Sequence, residues 1–176
     1  ETHLKQKNNA EFIISDERDL LLDTGGGVKK ALTHFSDEPF FIHNSDSTWV
    51  EKGHNNLTSM ISNFSPSRMD NLLCLANRNN SIGYSGTGDF ELSETGLISR
   101  KQAGVSTDHV FIGVSIATKA LFANSPEGPF SLNMLWDQAI ASQRLYGVHH
   151  QGIWMHVGTT EALSEAEHCI KTTNPT

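Results

Sequence analysis

The sequence predicts a layered α/β domain. Short apolar runs bounded by polar residues alternate with stretches of helical periodicity, one glycine-containing tight turn separates two strand-like runs, and no apolar run approaches the roughly 20 residues of a membrane span. In chain order, the polar opening ETHLKQKNN reads as the tail of a helix and EFIIS, Glu11 to Ser15, as a short strand. Leu20 to Leu22 lead into a glycine run, so a turn is expected at Gly25 to Gly27, followed by a short helix over Val28 to Leu32 with Val28, Ala31 and Leu32 on its apolar side. PFFIHNSD, Pro39 to Asp46, is an apolar run ending in polar residues, as expected of a buried strand that delivers its C-terminal end to a site.

Further along, Asn55 to Phe64 is amphipathic and predicted helical, and NLLCLA, Asn71 to Ala76, is a second buried strand. Phe90 to Ile98 reads as a hairpin turning at Glu94, Thr95 and Gly96. HVFIGVSIA, His109 to Ala117, is another strand, and Leu132 to Arg144 carries a helical stripe of Leu132, Leu135, Trp136, Ala139 and Ile140. Tyr146 to Val157 alternates as a strand pair broken at Gly152, and Glu161 to Ile170 closes the chain as a helix. The hairpin implies some antiparallel pairing in a mixed sheet.

Composition bounds the function. With 176 residues, 37% of them hydrophobic, and five prolines, the chain has the size of a single domain over 1–176. A net charge of −7 argues against nucleic acid or an anionic membrane as partner, since both require a basic surface, and leaves small molecules. Cys74 and Cys169 are far apart and outside any CxxC spacing, which suggests neither a disulfide framework nor a zinc site and points to reduced, part-buried thiols. With no signal-peptide core at the start, a cytoplasmic location is expected.

Four segments can carry chemistry. In LDTGGGVKKAL, Leu22 to Leu32, three glycines precede a helix start whose free amides suit an anion or a flat ring; a plain tight turn fits as well. In HNSD, Asp46 lies just past a strand end, where a carboxylate can anchor a magnesium ion shared with substrate phosphates or simply cap the next turn. In IGYSGTGDF, Ile82 to Phe90, Asp89 and backbone amides can bond sugar hydroxyls, or the loop is a surface turn. In GIWMHVGTTEAL, Trp154 and His156 share one side of a strand and Thr159 is an N-cap candidate for the last helix, while His156 faces either a site or the core.

Together and in this order, LDTGGGVKKAL, HNSD, GTGDF, FIGVSI, FSLNMLWDQAI and WMHVGT resemble the sugar-1-phosphate nucleotidyltransferases, the family of N-acetylmuramate-1-phosphate uridylyltransferase and the mannose-1-phosphate guanylyltransferases. The resemblance covers nearly the whole chain. It implies a Rossmann-like three-layer domain of the nucleotide-diphospho-sugar transferase type, with a mixed, mainly parallel sheet and a small β-hairpin excursion. It implies Thr24, Gly25, Gly26 and Gly27 against the nucleotide base, Asp46 on Mg2+, and Gly88, Asp89, Gly113 and Trp154 at the sugar. The implied partners are a nucleoside triphosphate, UTP or GTP, and a sugar 1-phosphate, whose oxygen attacks the α-phosphate and releases pyrophosphate.

Two departures from the family pattern shape the expectation. The opening strand and the glycine-rich loop with Arg and Lys have no counterpart, so the chain reads as N-terminally truncated and by itself poorly active or inactive. His156 stands where many relatives carry Asp, which suggests that Asp46 and the phosphates hold the metal while His156 donates a hydrogen bond to a phosphate or a metal-bound water. A non-catalytic module that binds a sugar phosphate or nucleotide is the competing reading. A metal hydrolase built on His149, His150 and His156 is disfavoured, because adjacent histidines on a strand point to opposite faces. Base, sugar and oligomeric state are not legible.

Overall fold

A computed structural model describes residues 4–7 and 10–173. Nine strands and four α-helices build it: α1 Asp23–Ala31, β1 Phe40–His43, β2 Ser47–Glu51, α2 Asn56–Asn63, β3 Asn71–Asn77, β4 Ser81–Ile82, β5 Phe90–Leu92, β6 Ile98–Arg100, β7 His109–Ala117, α3 Leu132–Ala141, β8 Leu145–His149, β9 Gly152–His156 and α4 Thr160–Thr173. Residues 1–3, 8 and 9 of the predicted helix tail lie outside the described residues, and Leu4–Gln6 form a 3-10 turn.

The main sheet runs β6-β5-β7-β3-β8, with β1 also paired to β7, and a second sheet runs β2-β9-β4. The α/β class is as expected. The pairing differs in proportion: β3–β8 and β4–β9 are parallel, whereas β1, β3 and β5 all meet β7 antiparallel, β5 meets β6 antiparallel and β2 meets β9 antiparallel.

Strand alternation separates two cores. Leu73 and Leu75 of β3 face α3 and the aromatic residues Phe90, Phe122 and Phe130. Leu72, Cys74 and Ala76 face the other way, onto Met60 of α2 and Trp154 of β9, together with Val110, Ile112, Val114 and Ile116 of β7. Burial among these apolar groups pushes the Cys74 thiol up to about 12, which keeps it protonated. On the far face of the small sheet, Val50 and Met155 pack on Ala166 of α4. Helices therefore flank the sheets on both sides.

Four expectations need correction. EFIIS forms no strand: among the described residues nothing pairs with it, and Phe12, Ile13 and Ile14 stand 43%, 54% and 51% exposed. Gly25 to Gly27 are no turn, because α1 begins at Asp23 and takes all three in, and it gives way to a 3-10 turn at Leu32–His34. Glycine weakens a helix by about 1 kcal/mol relative to alanine, so the run needs a packing reason, found below. β1 is only partly buried, with Phe40 covered and Phe41 exposed. Finally, β8 and β9 are not each other's partners: the chain crosses from one sheet to the other at His150 and Gln151. Gly152 (φ +132) permits the crossing, since a Cβ there would lie 2.0 Å from the Val50 carbonyl oxygen.

Candidate active site

The site follows from a gap in the main sheet. β3 occupies one edge of β7 along its whole length, so β1 and β5 share the other edge. β1 pairs with it at Val114 to Ala117 and β5 only at His109, which leaves residues 110–113 without a strand partner on that side. Within this stretch β7 carries a bulge: between the Leu73–Ser115 and Leu75–Phe111 pairs, β7 advances four residues for two on β3. Gly113 (φ +80) sits in the bulge, its carbonyl accepts the Asn44 amide at 2.8 Å, and a Cβ on it would lie 2.8 Å from Asn44 Cβ. Glycine is needed there so that the end of β1 can close over the gap.

Two cavities open from this gap. The outer one, about 530 Å³, is lined by Asp23, Thr24, Gly88, Asp89, Arg100 and Lys101 among others. The inner one, about 190 Å³, is lined by Asp46, Ser47, Tyr84, Gly113, Trp154 and His156. Asn44 and Phe111 line both, so the two adjoin. Thr24, Gly88 and Asp89 therefore meet in the outer compartment, and Asp46, Gly113, Trp154 and His156 in the inner one.

Gly25, Gly26 and Gly27 are placed elsewhere. The Gly25 and Gly26 amides both donate to the Phe130 carbonyl, at 2.8 and 3.1 Å, and are not free for a ligand. A Cβ at Gly25 would meet the Phe130 ring at 2.4 Å, one at Gly26 the Gly128 carbonyl oxygen at 2.5 Å, and one at Gly27 the Glu17 carboxylate at 2.7 Å. The glycine run lets α1 lie flush against the segment before α3, and of the four residues only Thr24 reaches the cleft. The Thr24 hydroxyl oxygen also accepts the Leu132 amide at 3.1 Å, which caps the start of α3.

In the inner compartment, the Trp154 indole N–H donates to Ser47 Oγ at 2.8 Å, and Ser47 in turn donates to the Ile112 carbonyl. This buried chain fixes the β2–β9 ladder against β7 beside Asp46. The Asp46 carboxylate caps no turn among the described residues; its side-chain contact is His156 Nε2, at 3.3 Å. His156 is thus a cleft residue with its side chain 39% exposed. His149 and His150 are remote from it in role: the first stacks near His109, the second packs on Trp49. Burial pushes His150 down to about 4, which suits a neutral, structural imidazole. Among the described residues no group of three or more His, Cys, Asp or Glu side chains is placed to hold a metal ion.

In the outer compartment, Asp89 accepts the Phe111 amide at 2.9 Å. Burial raises its carboxyl above the ordinary value, against the opposing pull of that amide and of Lys101 and Arg100. Arg100 donates to Asp137 at 2.7 Å and to the Asn133 side chain at 2.9 Å, over the Phe90 ring; Lys101 donates to Thr87 of the glycine loop. Neither cation stood out in the sequence, where Ser-Arg-Lys after a hairpin looks like solvated surface. Asn44, Tyr84 and Phe111 were missed for a similar reason, because only the split edge of β7 gathers them.

No protein-family model matches the chain. It is 40% identical over 171 residues to the N-acetylmuramate alpha-1-phosphate uridylyltransferase of Caulobacter vibrioides, a match that covers 95% of this chain and 71% of the relative. Among solved structures, HddC from Yersinia pseudotuberculosis complexed with GMP-PN superposes with a TM-score of 0.70 at 16% identity, over 97% of this chain and 72% of that one. A UDP-glucose pyrophosphorylase complexed with UDP-glucose gives 0.66 at 15% identity, over 87% and 63%. These two likenesses concern the fold, and the first relative carries the sequence kinship.

Proposed function

Because the chain belongs to the sugar-1-phosphate nucleotidyltransferases, which join a nucleoside triphosphate to a sugar 1-phosphate, we propose that its own substrates are UTP and N-acetylmuramate 1-phosphate. The 40% identity to a uridylyltransferase of that sugar supports this choice. The observation that carries the assignment of the site is the pair of adjoining cavities at the split edge of β7, one lined by Thr24, Asp89 and Lys101 and the other by Asp46 and His156.

In this reading Thr24 lies at the nucleotide end, and Gly88 and Asp89 take the sugar. Asp46 is the carboxylate for Mg2+. One carboxylate is a sparse donor set, but it fits an ion that keeps several waters and takes its remaining oxygens from phosphates. When bound, the ion supplies charge neutralisation at the reacting phosphates. Lys101, tethered to Thr87, adds positive charge from the adjoining compartment, and Arg100 stands beside it in an ion pair with Asp137. His156 Nε2 carries the hydrogen bond to Asp46 or to a phosphate. The protein's task is to hold the sugar-phosphate oxygen in line with the α-phosphate while charge gathers there. The two free cysteines and the absence of any helix long and apolar enough to cross a membrane, among the described residues, fit a cytoplasmic setting.

The test is pyrophosphate release with UTP and N-acetylmuramate 1-phosphate in Mg2+, beside calorimetric titration of the same two compounds. Turnover supports the reading. Binding of both compounds without turnover fits the low activity expected of this chain alone as well as a binding module, and the absence of both binding and turnover overturns the proposal.

A further inference from the structure

We propose that Tyr84 is a substrate-contacting residue whose hydroxyl donates to a phosphate oxygen of the sugar 1-phosphate. The proposal rests on the functional reading above and adds to it a group that the motifs do not assign.

The loop from Ile82 to Phe90 is shaped around this side chain. Gly83 (φ +72) lies flush on β9, where a Cβ would meet the His156 carbonyl oxygen at 2.2 Å. At Gly86 a Cβ would lie 2.4 Å from the Tyr84 hydroxyl, and at Gly88 (φ +81) 2.3 Å from the Thr107 carbonyl oxygen. Gly86 thus clears space for the Tyr84 side chain, while Gly83 and Gly88 let the loop lie against β9 and Thr107; the ring leans on Trp154, 5.8 Å between centroids, and lines the inner cavity with Asp46 and His156.

The hydroxyl accepts the Gly88 amide at 3.0 Å, and among the described residues this is its single hydrogen bond. Its own proton therefore has no protein acceptor. Burial, then the Asp89 charge, raises the phenol above its ordinary value, so it remains a donor across the working pH range. Half-buried on the wall of a cavity of about 190 Å³, the hydroxyl has a proton free to pass from water to an acceptor on a ligand. That volume is too small for a nucleoside with its phosphates, but it suits the phosphate of a sugar whose ring sits at Gly88 and Asp89. A phosphate oxygen is the strongest acceptor available there, because a bond to an ionised oxygen is short and roughly twice as strong as a neutral one.

Calorimetry on the 176-residue protein in Mg2+ tests this, with N-acetylmuramate 1-phosphate and UTP titrated separately. Tyr84→Phe should weaken the sugar phosphate by roughly tenfold or more and leave UTP within about twofold, the scale of one hydrogen bond to a charged group. Thr107→Ala loosens the same glycine loop but keeps the phenol, and should leave sugar-phosphate affinity nearly unchanged. Equal affinities in wild type and Tyr84→Phe would overturn the inference alone, as would an equal loss in Thr107→Ala, which would make the effect one of loop packing. A wild-type protein that binds neither compound removes the functional reading and this inference with it.

Discussion

Asp46 and His156 face each other across the open end of the small sheet, carboxylate Oδ2 3.3 Å from imidazole Nε2, and the Ser47–His156 pair of the β2–β9 ladder holds them there. The two side chains come from positions 110 residues apart, so the contact is a product of the second sheet. If Asp46 is the metal's carboxylate, Asp46→Asn should cut turnover about 100-fold or more and raise the Mg2+ concentration needed for half activity. His156→Ala should cost roughly tenfold and keep the Mg2+ dependence, as for loss of one bond to a charged group. Pyrophosphate release across a magnesium titration separates the two.

Lys101 is the cation to test in the adjoining compartment. Lys101→Ala should raise KM for the sugar phosphate about tenfold or more with a smaller change for UTP, and Lys101→Arg should recover only part, because a planar fork does not replace a point charge. Initial rates at varied sugar phosphate give the answer, and an unchanged KM would take Lys101 out of the site.

Asp89 carries a linked stability and affinity prediction. Its carboxyl is raised from 3.8, so its contribution to stability is fully present below that value and is lost as pH rises through the higher folded value. Asp89→Asn keeps an acceptor for the Phe111 amide but no buried charge. The variant should melt at or above the wild-type temperature at pH 7, with the difference closing near pH 4, and should bind the sugar phosphate more weakly. Thermal melts at several pH values check the first part, and calorimetry the second.

Gly25→Ala should destabilise the fold by about 1–3 kcal/mol, the usual range for an overpacked core position. Its new methyl would meet both the Phe130 ring at 2.4 Å and the Phe130 carbonyl oxygen at 2.8 Å, and the latter is backbone and cannot rotate away. Urea midpoints of the two proteins measure the difference; a wild-type midpoint would mean that the run is not packed as described.

Of the strands marked in the sequence, the plainest are the two buried on both faces. β3 and β7 read as unbroken apolar runs because two cores need them, and α3 shows its stripe because one face of it meets Leu73, Phe90 and Phe130. The Thr159 cap also appears as expected, its hydroxyl oxygen accepting the Ala162 amide at 3.1 Å. β2 and β4 were not legible: STWVE is five residues of mixed character and β4 only two, and both exist because β9 offers an edge. At the site, Asp46, Asp89 and His156 could be picked out as polar groups beside strand ends or glycines. Arg100, Lys101 and Asn44 could not, since their place in the cleft depends on where β1 and β5 part along β7. The glycine run misled in the opposite direction, because a close approach between helices and a close approach to a ligand ask for the same residue.

The shared Phe130 carbonyl, which accepts the Gly25 and Gly26 amides together, gives that run a mechanical consequence. With the Thr24–Leu132 bond beside it, the starts of α1 and α3 are riveted at adjacent points, so pressure on Thr24 reaches both helices at once. A substitution that breaks one of these bonds would therefore be felt at the starts of both helices.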